Sequence, residues 1–168
     1  MALVAAGALA TTAMGAALVT GAPRVGAAAA PPQCSPGAVH IVAATDHTAY
    51  PPGRTVTMTA SITNVSRAAC TFYLGYDPGY SPVFNVTNVQ GTTVWDRCWR
   101  HDEPAACFDL LKARTLDPGE TYSQTATWDQ RSGPDGGPVR QVPQGQYTYT
   151  TDFAHIGGDS TTFDIIVG

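Results

Sequence analysis

The sequence predicts an all-β chain, an immunoglobulin-like antiparallel β-sandwich of seven or eight strands. Three observations carry that reading. Apolar and polar residues alternate with period two through most of residues 31–168, and no helical period competes with them. Turn-forming Pro and Gly clusters separate the alternating runs, at Tyr50-Pro51-Pro52-Gly53, Gln90-Gly91, Asp117-Pro118-Gly119-Glu120 and Pro143-Gln144-Gly145. No helix is predicted between neighbouring strands, which argues against parallel βαβ units and for two stacked antiparallel sheets. The Trp and cysteine spacing of antibody domains is missing, so the likeness is one of architecture.

In order along the chain, Val39, Ile41 and Ala43 share one face of a first strand. Val56, Met58, Ala60 and Ile62 alternate with Thr55, Thr57, Thr59, Ser61 and Thr63 in the clearest half-buried strand. Asn64 to Ala69 is a polar connection, Thr71 to Tyr76 a third strand, Val83 to Asn88 a fourth and Thr92 to Cys98 a fifth. Trp99 to Arg114 breaks the alternation and contains Glu103-Pro104, so it is read as a long loop with a helical turn at Phe108 to Lys112. Thr121 to Trp128 resumes the alternation. Arg131 to Gln144 is a Gly/Pro-rich loop. The last pair, Gln146 to Phe153 and Thr161 to Val167, is joined by a Gly157-Gly158-Asp159 turn. Trp95 and Trp128 are expected in the core, with Asp129 and Gln130 bonding to the backbone of the turn that follows them.

Residues 1–30 are almost entirely Ala, Gly, Val, Leu, Thr and Met with no charge before Arg24, and they read as a signal peptide cleaved near Ala29 or Ala30. The rival reading is an uncleaved membrane anchor, the one route by which this chain would meet a membrane. Residues 31–168 then form a single domain in a secreted or extracytoplasmic location, in the bacterial cell envelope. Export accounts for the even set of cysteines, Cys34, Cys70, Cys98 and Cys107, which an oxidising compartment would pair. Four cysteines allow three connectivities. Cys34 before the first strand and Cys70 at the third lie at the same end of an up-down-up meander, which favours Cys34 with Cys70 and Cys98 with Cys107.

Chemistry-bearing patterns are sparse. The formal net charge is −4 and the basic residues are scattered, which argues against nucleic acid as a partner. Cys98-x2-His101-x5-Cys107 contains metal-ligand types but lacks the paired C-x2-C pattern and a fourth ligand. His101-Asp102-Glu103 reads as a solvated loop. His40, His47, His101 and His155 stand in separate contexts, with no Gly-x-Ser-x-Gly or His-Glu-x-x-His, so the chain is expected not to be an enzyme and to need no cofactor. Asn64-Val65-Ser66 and Asn85-Val86-Thr87 match the glycosylation sequon.

The order of these elements resembles a known family. Tyr50 to Gly53, Thr63-Asn64, Phe84-Asn85-Val86, Gly91 to Trp95, Leu116 to Glu120, Trp128 to Gln130 and Val142 to Tyr147 together look like the BsuPI-type intracellular proteinase inhibitor domain, in an exported variant. The resemblance implies a binding domain that acts by protein-protein contact on a proteinase or another envelope protein, as a monomer. The alternative is a non-inhibitory envelope domain that binds a wall component or partner protein. The candidate contact segment is the Cys98 to Cys107 loop with Trp99, Arg100, His101 and Phe108, because aromatic and Arg anchors dominate protein interfaces.

Overall fold

A computed structural model describes residues 29–76, 80–98, 112–133 and 138–167. In chain order its strands are β1 (Val39–Thr45), β2 (Ala49–Tyr50), β3 (Val56–Asn64), β4 (Cys70–Tyr76), β5 (Tyr80–Ser81), β6 (Val83–Asn88) and β7 (Thr93–Asp96). There follow β8 (Lys112–Leu116), β9 (Thr121–Trp128), β10 (Arg131–Ser132), β11 (Arg140–Gln141), β12 (Gly145–Phe153) and β13 (Gly157–Ile165). One sheet has the order β1-β3-β9 and the other β2-β13-β12-β6-β7, with a smaller β5-β4-β8 sheet and a β10-β11 hairpin beside them. The protein is an all-β sandwich, as the alternation predicts. Pairing is antiparallel except between β2 and β13. The strand count exceeds the seven or eight expected, because four of these segments are two residues long and β8 buries a single residue, so none of the five leaves a periodic trace in a sequence.

β3 shows how the sequence writes the fold. Val56, Met58, Ala60 and Ile62 are fully buried, while the Thr and Ser residues between them face outward, so one face is held against the core by the hydrophobic effect. β9 delivers Trp128 to the same core, where its ring meets Tyr147 of β12 at 5.8 Å and Phe163 of β13 at 6.3 Å. Tyr50 meets Phe163 at 5.5 Å, edge to face. Such pairs add about 0.5–1.5 kcal/mol each beyond the area they bury. Trp95 is only partly buried against this core. On one side the two sheets are tied together by Asp159 of β13, whose carboxylate accepts from the Ala43 amide of β1 at 2.9 Å. On the opposite side β9 and β7 are the free ends of their sheets.

Two expectations need correction. The Trp99 to Arg114 loop ends earlier than its sequence suggests: Lys112 to Leu116 form β8, paired with β4 from Leu74↔Lys112 to Cys70↔Leu116. Leu116 is the one buried residue of β8, so no alternation announces it, and Lys112 begins a strand where a helical turn was expected. The Gly157-Gly158-Asp159 turn is also misplaced. The reversal lies at 154–156, with His155 at φ 65°, and Gly157, Gly158 and Asp159 belong to β13, opposite Phe153, Asp152 and Thr151. Gly158 serves close approach of backbones, since a Cβ there would lie 2.3 Å from the Thr151 carbonyl oxygen.

Cys34 and Cys70 form a disulfide that ties the N-terminal segment to the start of β4. Backbone bonds reinforce it: Cys34 N donates to Thr71 O and Thr71 N to Pro32 O, both at 2.8 Å.

Candidate functional site

The contact loop expected from the sequence lies almost wholly outside the described residues, and with it Trp99, Arg100, His101, Cys107 and Phe108. Its two roots are described. At the first, Asp96 Oδ1 accepts from Cys98 N at 2.8 Å, an Asx turn that ends β7. Cys98 is disulfide-bonded, which removes the thiolate that a zinc site at Cys98 would need. Among the described residues no group of His, Cys, Asp and Glu could hold a metal ion.

Arg97 connects the sheets at this root. Its amide donates to Phe84 O at 3.0 Å and its guanidinium lies over the Phe84 ring, 5.3 Å from the centroid. Gln124 of β9, its amide oriented by this contact, accepts from Arg97 Nη1 at 2.6 Å and Nη2 at 3.0 Å. Two residues along the same face of β9 is Tyr122, since side chains of i and i+2 share a side of a strand. Arg114 of β8 lies over the Tyr122 ring at 5.3 Å, and Phe72 of β4 packs against that ring at 5.5 Å. Lys112 shares the Arg114 face at the second root of the loop.

The result is a strip of aromatic rings and cations, from Lys112 and Arg114 through Tyr122 and Gln124 to Arg97 and Phe84. Lys112 and Arg114 are exposed, and neither has an ion pair among the described residues. Stacked Arg over Tyr is a strong association motif where water is excluded. In the sequence these cations look scattered because β8 and β9 are consecutive while β7 lies well upstream. The i, i+2 spacing of Lys112 with Arg114 and of Tyr122 with Gln124, on either side of one turn, is the signal that could have placed them together.

Other polar clusters are structural. Trp128 fills the core, its Nε1 donating to Arg131 O at 2.9 Å, and Asp129 Oδ1 accepts from Arg131 N at 3.1 Å, as expected. Gln130 departs from expectation: its side chain reaches back to the Pro51 to Arg54 turn instead of the turn that follows it. Its Oε1 accepts from Gly53 N and Gln141 Nε2, both at 2.9 Å, and its Nε2 donates to Pro51 O at 3.0 Å and Arg54 O at 2.7 Å.

Asn64 is a second buried hub. Its Nδ2 donates to Ala68 O and Leu116 O at 2.9 Å, and its Oδ1 accepts from Ser66 N and Oγ. Both amide protons are committed, so the Asn64 sequon cannot carry a glycan in the folded chain.

Tyr50 Oη donates to Asp46 Oδ1 at 2.5 Å and accepts from His47 N at 2.9 Å, while His47 Nδ1 lies 3.1 Å from Asp46 Oδ2. Burial, aided by the Asp46 carboxylate, pushes the Tyr50 phenol up to about 12, so at neutral pH it remains a donor. Burial works to raise the Asp46 carboxyl, but hydrogen bonds from Tyr50 and the Thr57 amide outweigh it and hold the group below the usual range. The cluster clasps the connection between β1 and β2. Among the described residues Tyr149 Oη and Thr151 Oγ1 are buried without a hydrogen-bond partner, and burial raises the Tyr149 phenol strongly.

No family model and no curated protein matches the chain. Among solved structures it is similar to a β-glucosidase from Erythrobacter marinus, at 11% identity and TM-score 0.47, over 76% of this chain and 15% of that one. A β-glucosidase from Listeria innocua matches at 12% identity and TM-score 0.45, over 76% of this chain and 16% of that one. A cycloisomaltooligosaccharide glucanotransferase from Paenibacillus sp. matches at 20% identity and TM-score 0.44, over 73% of this chain and 13% of that one. The chain thus spans under a fifth of the length of these relatives. The similar structures belong to sugar-processing enzymes, so the expectation that the chain is not an enzyme finds no support among them. Likeness at this level assigns this chain no activity, substrate or catalytic residue.

Proposed function

We propose that this is an exported binding domain that acts by protein-protein contact through the strip at the root of the 98–111 segment. The observation that supports the reading is a pair of exposed cations on β8, Lys112 and Arg114, that have no carboxylate partner among the described residues, with Arg114 laid over Tyr122, in a chain of net charge −4. Partly buried aromatic residues with Arg are the composition of interface hot spots. A rigid sandwich presents such groups at little cost in ordering entropy. The buried Cys34–Cys70 disulfide is consistent with an extracytoplasmic location, and secretion belongs to the same proposal. The resemblance to BsuPI-type inhibitors makes a proteinase the first partner class to try.

The test is titration of the oxidised full chain against a panel of serine and metalloproteinases, beside an Arg114→Ala, Tyr122→Ala variant. Inhibition of a panel member, weakened about tenfold or more in the variant, is the expected result for hot-spot residues. A flat response with the disulfides intact would leave the envelope-binding alternative.

A further inference from the structure

We infer that β9 is a docking edge that takes an extended acidic segment of a partner protein as an added strand. The inference deepens the protein-contact reading above and rests on it, by naming the chemistry of the partner.

An edge strand presents a row of unpaired amides and carbonyls, and natural proteins blunt such rows with charge, Pro, bulges, shortness or cover. The other edges of this molecule show those devices. Asp159 caps an amide of β1, β7 is four residues long, and β8 carries Lys112 and Arg114. β4 is flanked by the Pro32 to Cys34 segment as well as by β8. Among the described residues β9 has none of them. It is eight residues long, Thr-Tyr-Ser-Gln-Thr-Ala-Thr-Trp, with no charge and no Pro, and its register with β3 runs from Thr63↔Thr121 to Val56↔Trp128 without a bulge. Among the described residues no strand pairs with its outer side, and residues 121–128 make no backbone bond beyond the β3 ladder.

Charge complementarity selects the occupant. A strand laid along β9 passes Arg114 over Tyr122 and the Arg97–Gln124 contact, with Lys112 beyond. The turn carboxylates Asp117 and Glu120 stand at the start of β9 and Asp129 follows its end. Acidic side chains of the occupant therefore belong at its middle, opposite Tyr122 to Gln124, and its ends are neutral. Main-chain bonds supply affinity in this mode and alternate side chains supply selectivity.

The probe is a capped, fluorescein-labelled peptide of about eight residues, Thr-Val-Glu-Val-Glu-Val-Thr-Val, a typical strand length. Its binding to the oxidised full chain is followed by anisotropy at low salt. Saturable binding is expected, with alternate β9 amides gaining protection from hydrogen exchange. The lysine counterpart and a peptide N-methylated at alternate positions should not bind. Lys112→Gln and Arg114→Gln should each weaken binding about fivefold, an effect lost at high salt. Thr125→Glu places a carboxylate on the exposed face of the edge without touching the core and should weaken binding further, whereas Thr125→Lys should not. Equal binding of the lysine or N-methylated peptide overturns the inference. So does concentration-dependent dimerisation that Thr125→Lys removes, which would assign the edge to a second copy. Proteinase inhibition without peptide binding overturns this inference alone. Peptide binding without inhibition of any proteinase supports it and removes the inhibitor reading.

Discussion

Replacing Gln130 tests how a buried polar side chain organises one end of the sandwich. Gln130 is fully buried, sits at φ 61° and makes four side-chain hydrogen bonds to Gly53, Gln141, Pro51 and Arg54. A neutral hydrogen bond is worth about 0.5–1.5 kcal/mol net, and a partner left buried and unpaired costs more. The four partners here are only part-buried, so water re-satisfies some of them, and Gln130→Ala should destabilise by about 2–3 kcal/mol. Gln130→Gly loses the same bonds but relieves a left-handed backbone that costs a side-chain-bearing residue about 1 kcal/mol, so it should be the milder variant by about that amount. Gln130→Glu keeps the shape while facing a carboxylate oxygen toward the Pro51 and Arg54 carbonyls, and should be at least as damaging as Gln130→Ala. Urea unfolding followed by Trp128 fluorescence reads all three. A Gln130→Ala variant within about 0.5 kcal/mol of the parent would refute the reasoning, as would Gln130→Gly being the more damaging of that pair.

Cys34→Ser with Cys70→Ser removes a crosslink between residues 36 apart in sequence, a loop worth about 4 kcal/mol of unfolded-state entropy, and the urea midpoint should fall accordingly. Asn64→Ala strands the Ala68 and Leu116 carbonyls and should cost about 2–3 kcal/mol by the same measurement, whereas Asn85→Ala, at a half-buried position with one 3.3 Å contact, should cost under about 1 kcal/mol. Tyr50 has its phenol raised from 10.0 to about 12, so its contribution to stability is complete below pH 10 and is lost as pH rises toward 12. Tyr149 shifts in the same direction, so absorbance at alkaline pH should show both ionising together with loss of the β-sheet circular dichroism signal. Ionisation of Tyr50 itself near pH 10, read as the difference from a Tyr50→Phe variant, with that signal intact would contradict its packing.

Legibility in the sequence followed burial. β3 and β12 alternate without fault, and their buried rows, Val56 to Ile62 and Tyr147 to Phe153, are readable as period two. β8 was illegible because four of its five residues are exposed and its partner β4 supplies the pairing. β13 was readable at Phe163 and Ile165, but its first residues are glycines that imitate a turn. The core placement of Trp128 was plain from its strand, while the reach of Gln130 was not, since three of its four partners lie 76 to 79 residues away. The strip of Lys112, Arg114, Tyr122, Gln124 and Arg97 escaped for the same reason, as Arg97 arrives from a different sheet.

By itself the sequence determined the fold class, the core rows of the long strands, the turns at Pro and Gly and the pairing of Cys34 with Cys70. All of these rest on local periodicity, local backbone preference or a simple ordering along the chain. Only the tertiary structure decided that the sandwich is tied shut at β1 and β13, that β9 is the last strand of its sheet among the described residues and that cations from two sheets meet beside it. Those features depend on which strands become neighbours, a property of contacts between residues far apart in the chain that no period of two or turn residue encodes.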